Sequence, residues 1–173
     1  MQNNTVVIEP LSEKTLKGAL KVLDTVFGYH KKDKEMYTNA FAGSLNMNKY
    51  KLLNGRKEKP TYLQYYVAID KKSKKVVGTT GLYAHSELGP GKMGTGWFCV
   101  DPNFRGKGIG KLLLDFTIEK ARERKAPILF LWTTADPSEK VAHEMYEGRG
   151  FKIVKKEKSL DYKYEVINME LKL

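Results

Sequence analysis

The sequence predicts one α/β (α+β) domain spanning residues 1–173: a central mixed, mostly antiparallel sheet of about seven strands, about four helices and a parallel strand pair in the middle. Three observations predict it. Apolar residues switch along the chain between a period of two and a period near four, in the order β-α-α-β-β-β-α-β-α-β-β. Polar turns join the strands of the middle third, as antiparallel hairpins require. One strand-helix-strand unit, Trp97 to Thr133, has a connection long enough to lay its two strands side by side in parallel.

The elements follow in order. "TVVIEPL" alternates enough for a first strand. In "SEKTLKGALKVLDTVF", Ser12 is placed to cap a helix whose apolar face is Leu16, Leu20, Leu23 and Phe27, and Gly28 ends the pattern. "DKEMYTNAFAGSLN" reads as a second, weaker helix, and Leu53 to Pro60 as a loop. "TYLQYYVAID" and "KVVGTTGLYA" flank the polar "KKSK" and read as a hairpin. The glycine-rich turn "SELGPGKMGTG" leads into the strand "GWFCVD". A helix from about Lys107 to Arg124 buries Ile109, Leu112, Leu113, Phe116 and Ala121. Pro127 stops it and opens the strand "ILFLWTT". "DPSEKVAHEMYEGRGF" reads as a helix with Asp136 as cap, Pro137 in its first position and Gly148 or Gly150 at its end. "FKIV" and "YEVINMELKL" are the last strands.

Composition narrows the class of protein without naming a function. A chain of 173 residues, 41% hydrophobic and 29% charged, buries a core without metals or disulfides. The longest apolar run, "PILFLW", is too short to cross a membrane. The N-terminus lacks the pattern of a signal peptide. The single cysteine, Cys99, cannot form an internal disulfide and suits a cytoplasmic location. The net charge of +11 invites a polyanion. The basic residues are mostly lysines, though, and scattered through "YHKKDK", "DKKSKK" and "KIVKKEK", unlike the clustered arginines and aromatics of a nucleic-acid surface.

The most informative stretch is "WFCVDPNFRGKGIGKLLL". A strand passes through three glycines, an arginine and two lysines into a helix. The start of a helix carries unpaired N–H groups and a partial positive charge, which together hold phosphate. Gly106, Gly108 and Gly110 let the chain turn and a ligand approach the backbone. Arg105 and Lys107 add charge, and arginine can grip phosphate oxygens in pairs. The stretch is fit for a pyrophosphate. A P-loop is excluded, because the spacing is one residue short and Leu112 follows Lys111 where Ser or Thr is needed. A dinucleotide fingerprint lacks its last glycine spacing and its βαβ repeat.

These residues resemble the GNAT (Gcn5-related) N-acetyltransferase family. Its acetyl-CoA motif, Arg/Gln-x-x-Gly-x-Gly/Ala, is matched by "RGKGIG", Arg105 to Gly110. "AHEMYEGRGFK" resembles the family's next motif. The likeness covers roughly Val67 to Val154; the residues before it match in element order alone. It implies a splayed parallel pair, with the pantetheine arm of acetyl-CoA in the cleft against the backbone of Phe98, Cys99 and Val100. It implies that amides and side chains of Arg105, Gly106, Lys107, Gly108, Ile109, Gly110 and Lys111 hold the pyrophosphate. Acetyl-CoA enters as co-substrate, no metal is implied, and CoA leaves as product. One departure stands out: the family often has Asn seven residues before the motif tyrosine, where this chain has Glu139.

Amide formation from a thioester needs a neutral amine, a donor for the oxyanion and a proton for the leaving thiolate. A lysine-like amine of pKa about 10.4 is neutral in roughly one molecule in 2,500 at pH 7, so a base is useful. Tyr146 is the proton-donor candidate, on the strength of the resemblance; its other reading is core packing beside Val141, Ala142 and Met145. The N–H of Val100 is the candidate oxyanion donor. "GTGWFCV" holds no carboxylate, which leaves Glu87 as the candidate base, with His85 beside it. Asp101 reads as the organiser of the "DPN" turn and Cys99 as core. The expected activity is acetyl transfer from acetyl-CoA to an amine of a small molecule or peptide. The alternatives are an acyl-CoA-binding module without turnover and a basic nucleic-acid-binding domain. The acceptor is expected near Phe27 to Asn46 and His85 to Met93, and a homodimer is left open.

Overall fold

The structure is a computed structural model that describes residues 5–28, 31–53, 55–160 and 162–173. Tyr29 and His30, inside the expected acceptor region, lie outside the described residues, as does Asn54 in the 53–60 loop. The elements are β1 (Val6–Pro10), α1 (Glu13–Phe27), α2 (Lys31–Leu45), β2 (Tyr62–Asp70), β3 (Val76–Ala84), β4 (Met93–Thr95), β5 (Cys99–Val100), α3 (Ile109–Glu123), β6 (Ile128–Thr134), α4 (Lys140–Glu147), β7 (Lys152–Glu157) and β8 (Val166–Lys172). The sheet runs β1-β2-β3-β4-β6-β8-β7, with β5 on β3. All pairings are antiparallel except β4 with β6. No helix among the described residues is long and apolar enough to cross a membrane.

The mostly antiparallel sheet, its central parallel pair and the four helices agree with the sequence prediction. The strand count differs. Of the strand expected over "GWFCVD" only Cys99–Val100, β5, is a strand, and β4 lies wholly inside the stretch read as a turn. α4 is also shorter than expected. Pro137–Glu139 form a separate 3-10 turn, closed by Asp136, whose side chain accepts from Ser138 N–H at 2.8 Å.

Strand periodicity sorts the core into two layers. Tyr65 and Val67 of β2 face α1 and α2, with Phe41 of α2 stacked on Tyr65 at 4.2 Å between ring centres. Tyr66 and Ala68 face α3, with Phe116 edge-on to Tyr66 at 4.9 Å. Each amphipathic helix sits slightly rotated from its expected face. α1 buries Ala19, Val22 and Leu23, leaving Leu16 and Leu20 half-buried. Gly18 is the reason: it lets α1 close on β3, where an added Cβ would come 3.0 Å from Val76 Cγ2. α3 buries Ile109, Leu113, Leu114, Thr117, Ile118 and Ala121, with Leu112 and Phe116 half-buried. Thr117 is tolerated inside because it bonds both Thr80 Oγ1 and the Leu113 carbonyl, each at 2.7 Å.

Candidate active site

β4 and β6 pair in parallel through Met93–Leu129 and Gly94–Phe130. Beyond that point β5 stays on β3 and no ladder joins it to β6 among the described residues. The cause is one extra residue. Leu82 pairs with Thr95, which would place Cys99 opposite Gly78; Cys99 instead pairs with Thr79. The insertion falls at Trp97 and Phe98, where Trp97 takes a left-handed φ of 48°. It also resets which groups face the gap. Asp101 N–H donates to Val77 at 2.9 Å, so the alternate residues Phe98 and Val100 turn their amides away from β3 and towards β6. Cys99 pairs with Thr79 on β3 and turns its thiol into the core beneath α1 and α2. Burial pushes that thiol up to about 12, which removes it as a nucleophile.

The 101–108 turn and the start of α3 close one end of the gap. Asp101 organises it as expected, its carboxylate accepting from Asn103 N–H at 2.9 Å. Gly106 and Gly108 have φ of 74° and 77°, values that a residue with a Cβ adopts at a cost. Gly108 is the N-cap of α3 and offers no side chain to its first amides, so nothing from the cap competes with an external anion there. Arg105 lies back along the turn, Nε donating to the Val100 carbonyl at 3.2 Å. Lys107 sits over the Phe104 ring at 4.7 Å. Gly110, one residue into the helix, faces Met145 of α4: an added Cβ would lie 3.6 Å from its sulfur.

α4 forms the wall beside the gap. It stops in a Schellman turn, in which Phe151 N–H reaches the Tyr146 carbonyl at 3.2 Å, Gly150 N–H reaches Glu147 at 2.9 Å and Gly150 has φ 89°. That is the physical content of "YEGRGF". The turn sets the Tyr146 ring 5.9 Å from Phe151 and 6.1 Å from Phe98. Tyr146 is buried, and burial first, with the Glu139 charge second, raises its pKa well above the usual phenol value. It stays protonated and can only give a proton. Thr95 shares its layer, opposite Leu82. The Thr95 hydroxyl is buried without a hydrogen-bond partner among the described residues, at the point where the gap opens.

The upstream candidates lie at the other end of β4. Glu87 is exposed in a 3-10 turn over Ser86–Leu88. His85 is buried with both ring nitrogens unpartnered among the described residues, and burial first, then Arg56, lowers its pKa. Glu139 straps the end of β6: it accepts from the Thr133 hydroxyl, from Thr134 Oγ1 at 2.6 Å and from Thr134 N–H at 3.3 Å, with His143 Nε2 3.3 Å from Thr133 Oγ1. Sequence reasoning missed that strap and the polar cluster of Tyr50, Arg56, Tyr65 and Tyr83 on the α1–α2 face. Its signal was the tyrosine run of "YLQYY" set against the glycines of β3 and β4. Among the described residues, no group of three or more His, Cys, Asp or Glu is placed to hold a metal.

The comparisons with known proteins agree with this geometry. The model of the acetyltransferase (GNAT) family matches residues 30–151, and the chain belongs to that family. No curated protein sequence matches it. Similar solved structures include the ribosomal-protein-S18-alanine N-acetyltransferase from Escherichia coli, at 17% identity and TM-score 0.69, covering 96% of this chain and 93% of that one. A ribosomal-protein-alanine N-acetyltransferase from Brucella melitensis aligns at 19% identity and TM-score 0.69, covering 96% and 99%. A chain of the NatC complex bound to Gag peptide and CoA aligns at 21% identity and TM-score 0.72, covering 98% and 99%. At such identities these structures establish the fold, and the family match establishes an acetyltransferase of the kind that uses acetyl-CoA.

Proposed function

We propose that the protein transfers an acetyl group from acetyl-CoA directly to an amine of a small molecule or peptide. The observation that carries the reading is the gap between β5 and β6, opened by the extra residue at Trp97–Phe98, with the α3 N-terminus at one end and Tyr146 on its wall. The residues fit the co-substrate. The amides from Gly106 to Lys111, without a cap side chain, suit a pyrophosphate, and Arg105 and Lys107 add charge. The backbone of Phe98 and Val100 suits the amide groups of a pantetheine arm, extending the sheet where β6 has left it. The unpartnered Thr95 hydroxyl gains a polar neighbour when the gap fills.

The chain's own groups then divide the work. Val100 N–H donates to the developing oxyanion. The Tyr146 phenol, kept protonated by burial, gives the departing thiolate its proton. The acceptor amine must shed a proton. Of the two upstream candidates, His85 is neutral near pH 7 because burial lowers its pKa, whereas Glu87 stands exposed and would need a water to relay the proton. Thiol release from acetyl-CoA across a panel of amines tests the reading. Acetyl-CoA should also raise the melting temperature, by about 2.7 kcal/mol of stability at 100 times its Kd. No shift at millimolar acetyl-CoA would refute it.

A further inference from the structure

We propose that the acceptor is a small amine bearing a carboxylate, and that Arg56, Tyr65 and Tyr83 form the subsite for that carboxylate; this rests on the acetyl-transfer reading above. The placement follows from rows across the sheet. Tyr65 pairs with Gly81, and Gly81 accepts from Gly96 N–H at 3.2 Å. The Tyr65 ring lies over Gly81 and carries its hydroxyl to 3.3 Å from where a Gly96 Cβ would stand. In the next row Tyr83 lies over Gly94, its hydroxyl 2.6 Å from that glycine's Cβ position. A side chain at Gly81 or Gly94 would strike these rings. The glycines thus let two phenols lie across the sheet to β4, the strand from which the gap opens, on the α1–α2 face.

Arg56 supplies the charge. Its Nη1 lies 3.3 Å from Tyr50 Oη, and among the described residues no carboxylate is within ion-pair distance of it. Its charge is felt by Tyr65, Tyr83 and His85. The acids nearby, Glu58 and Glu87, act on His85, and Glu58 accepts from Ser86 Oγ at 3.0 Å; neither is among the charges acting on the two phenols. Burial raises both phenols, Tyr83 to about 12, so they are neutral donors at working pH. Two O–H donors and an arginine without a carboxylate make a site that is short of an anion. The buried His85, with neither ring nitrogen partnered among the described residues, is a further polar group that a ligand would satisfy. A second cation on the acceptor would meet Arg56 instead.

The test compares acceptors matched except for the carboxylate: glycine with ethanolamine, alanine with alaninol, β-alanine with propanolamine, and putrescine as the dication. Thiol release from acetyl-CoA gives kcat and KM for the wild type, Arg56→Met and Arg56→Lys. The expected wild-type preference for the acids is about tenfold or more in kcat/KM, residing in KM, since charged hydrogen bonds of this kind are each worth that much. Arg56→Met should abolish the preference and Arg56→Lys should keep part of it. The acetyl-CoA melting shift of each variant reports whether the fold and the cofactor end survive. Amino alcohols or putrescine used as well as the acids, no transfer to any of the panel, or a preference that survives Arg56→Met, would overturn the proposal. Absence of the melting shift in the wild type would instead overturn the acetyl-transfer reading beneath it.

Discussion

Gly110 offers a clean separation of folding from cofactor binding. It has ordinary helical geometry, and its added Cβ would meet Met145 Sδ at 3.6 Å and Val100 Cγ2 at 3.9 Å, both normal contacts. Gly110→Ala should therefore leave the unliganded protein at least as stable, with a gain of up to about 1 kcal/mol from helix propensity. Gly110→Glu carries its chain past those contacts, and an acid in the first helical turn adds about 0.3 to 1 kcal/mol to the free protein, so the unliganded melt is the check that this variant folds. With a pyrophosphate at those amides the sign reverses. A like charge about 4 Å away costs about 1 kcal/mol in water and about 4 kcal/mol at a surface dielectric of 20. That range weakens Kd by about fivefold to a thousandfold. Thermal melts with acetyl-CoA at 100 times the wild-type Kd read the difference. The wild type gains about 2.7 kcal/mol, and a variant weakened a hundredfold gains only about 0.4 kcal/mol. In a domain of this size those gains correspond to roughly 5 to 11 °C against roughly 1 to 2 °C. Gly110→Ala should keep the full shift. A full shift in Gly110→Glu would refute the reasoning and leave the loop as a turn without a ligand.

Tyr146→Phe should lower kcat by about 10² to 10⁴ while the acetyl-CoA melting shift stays as in the wild type; an unchanged kcat, with chemistry shown to limit turnover, would make Tyr146 a packing residue. Gly108→Ala should cost about 1 to 2 kcal/mol of stability even without ligand, because φ is 77° there, and an unchanged melting temperature would contradict that backbone. Cys99 should label with thiol reagents at pH 8 only as fast as the protein opens, and equal rates in native and denatured protein would refute its burial. Its raised pKa also gives a sign. The contribution of the neutral thiol is complete below the unfolded value, near pH 8.5, and is lost as pH rises towards 12, so Cys99→Ala should flatten the alkaline fall in stability measured by denaturant titration.

The helices and most strands were legible because their periods are local. The tight turn before α3 was legible because Gly106, Gly108 and Gly110 crowd a strand-to-helix junction beside Arg105. What escaped the sequence depended on neighbours distant along the chain. The face of α1 is turned by Gly18 meeting Val76, across the sheet from its own stretch. The break in "GWFCVD" carries no proline or unusual glycine, because the inserted residue is a tryptophan. Arg56 sits in a stretch read as a plain loop, and only the fold brings it to Tyr50 and its charge to bear on tyrosines of β2 and β3. The departure at Glu139 was visible, but its three bonds to Thr133 and Thr134 follow from how the 3-10 turn folds back on β6.

The extra residue at Trp97 joins these threads. A left-handed φ at a large aromatic residue costs about 1 to 2 kcal/mol, so something must hold it. Three contacts do. The Trp97 ring lies edge-on to Phe27 at 5.5 Å and to Tyr37 at 5.4 Å, and its carbonyl accepts from the Thr79 hydroxyl at 2.6 Å. Aromatic pairs of this kind are worth about 0.5 to 1.5 kcal/mol each beyond burial, enough to offset the backbone cost. The partners come from α1, α2 and β3, elements that precede the 101–108 turn. The N-terminal helices therefore do more than cover one face of the sheet. By gripping Trp97 they keep β5 on β3 and away from β6, which holds the gap open before any ligand arrives. Preorganisation of this sort spares binding energy that would otherwise go into parting two strands.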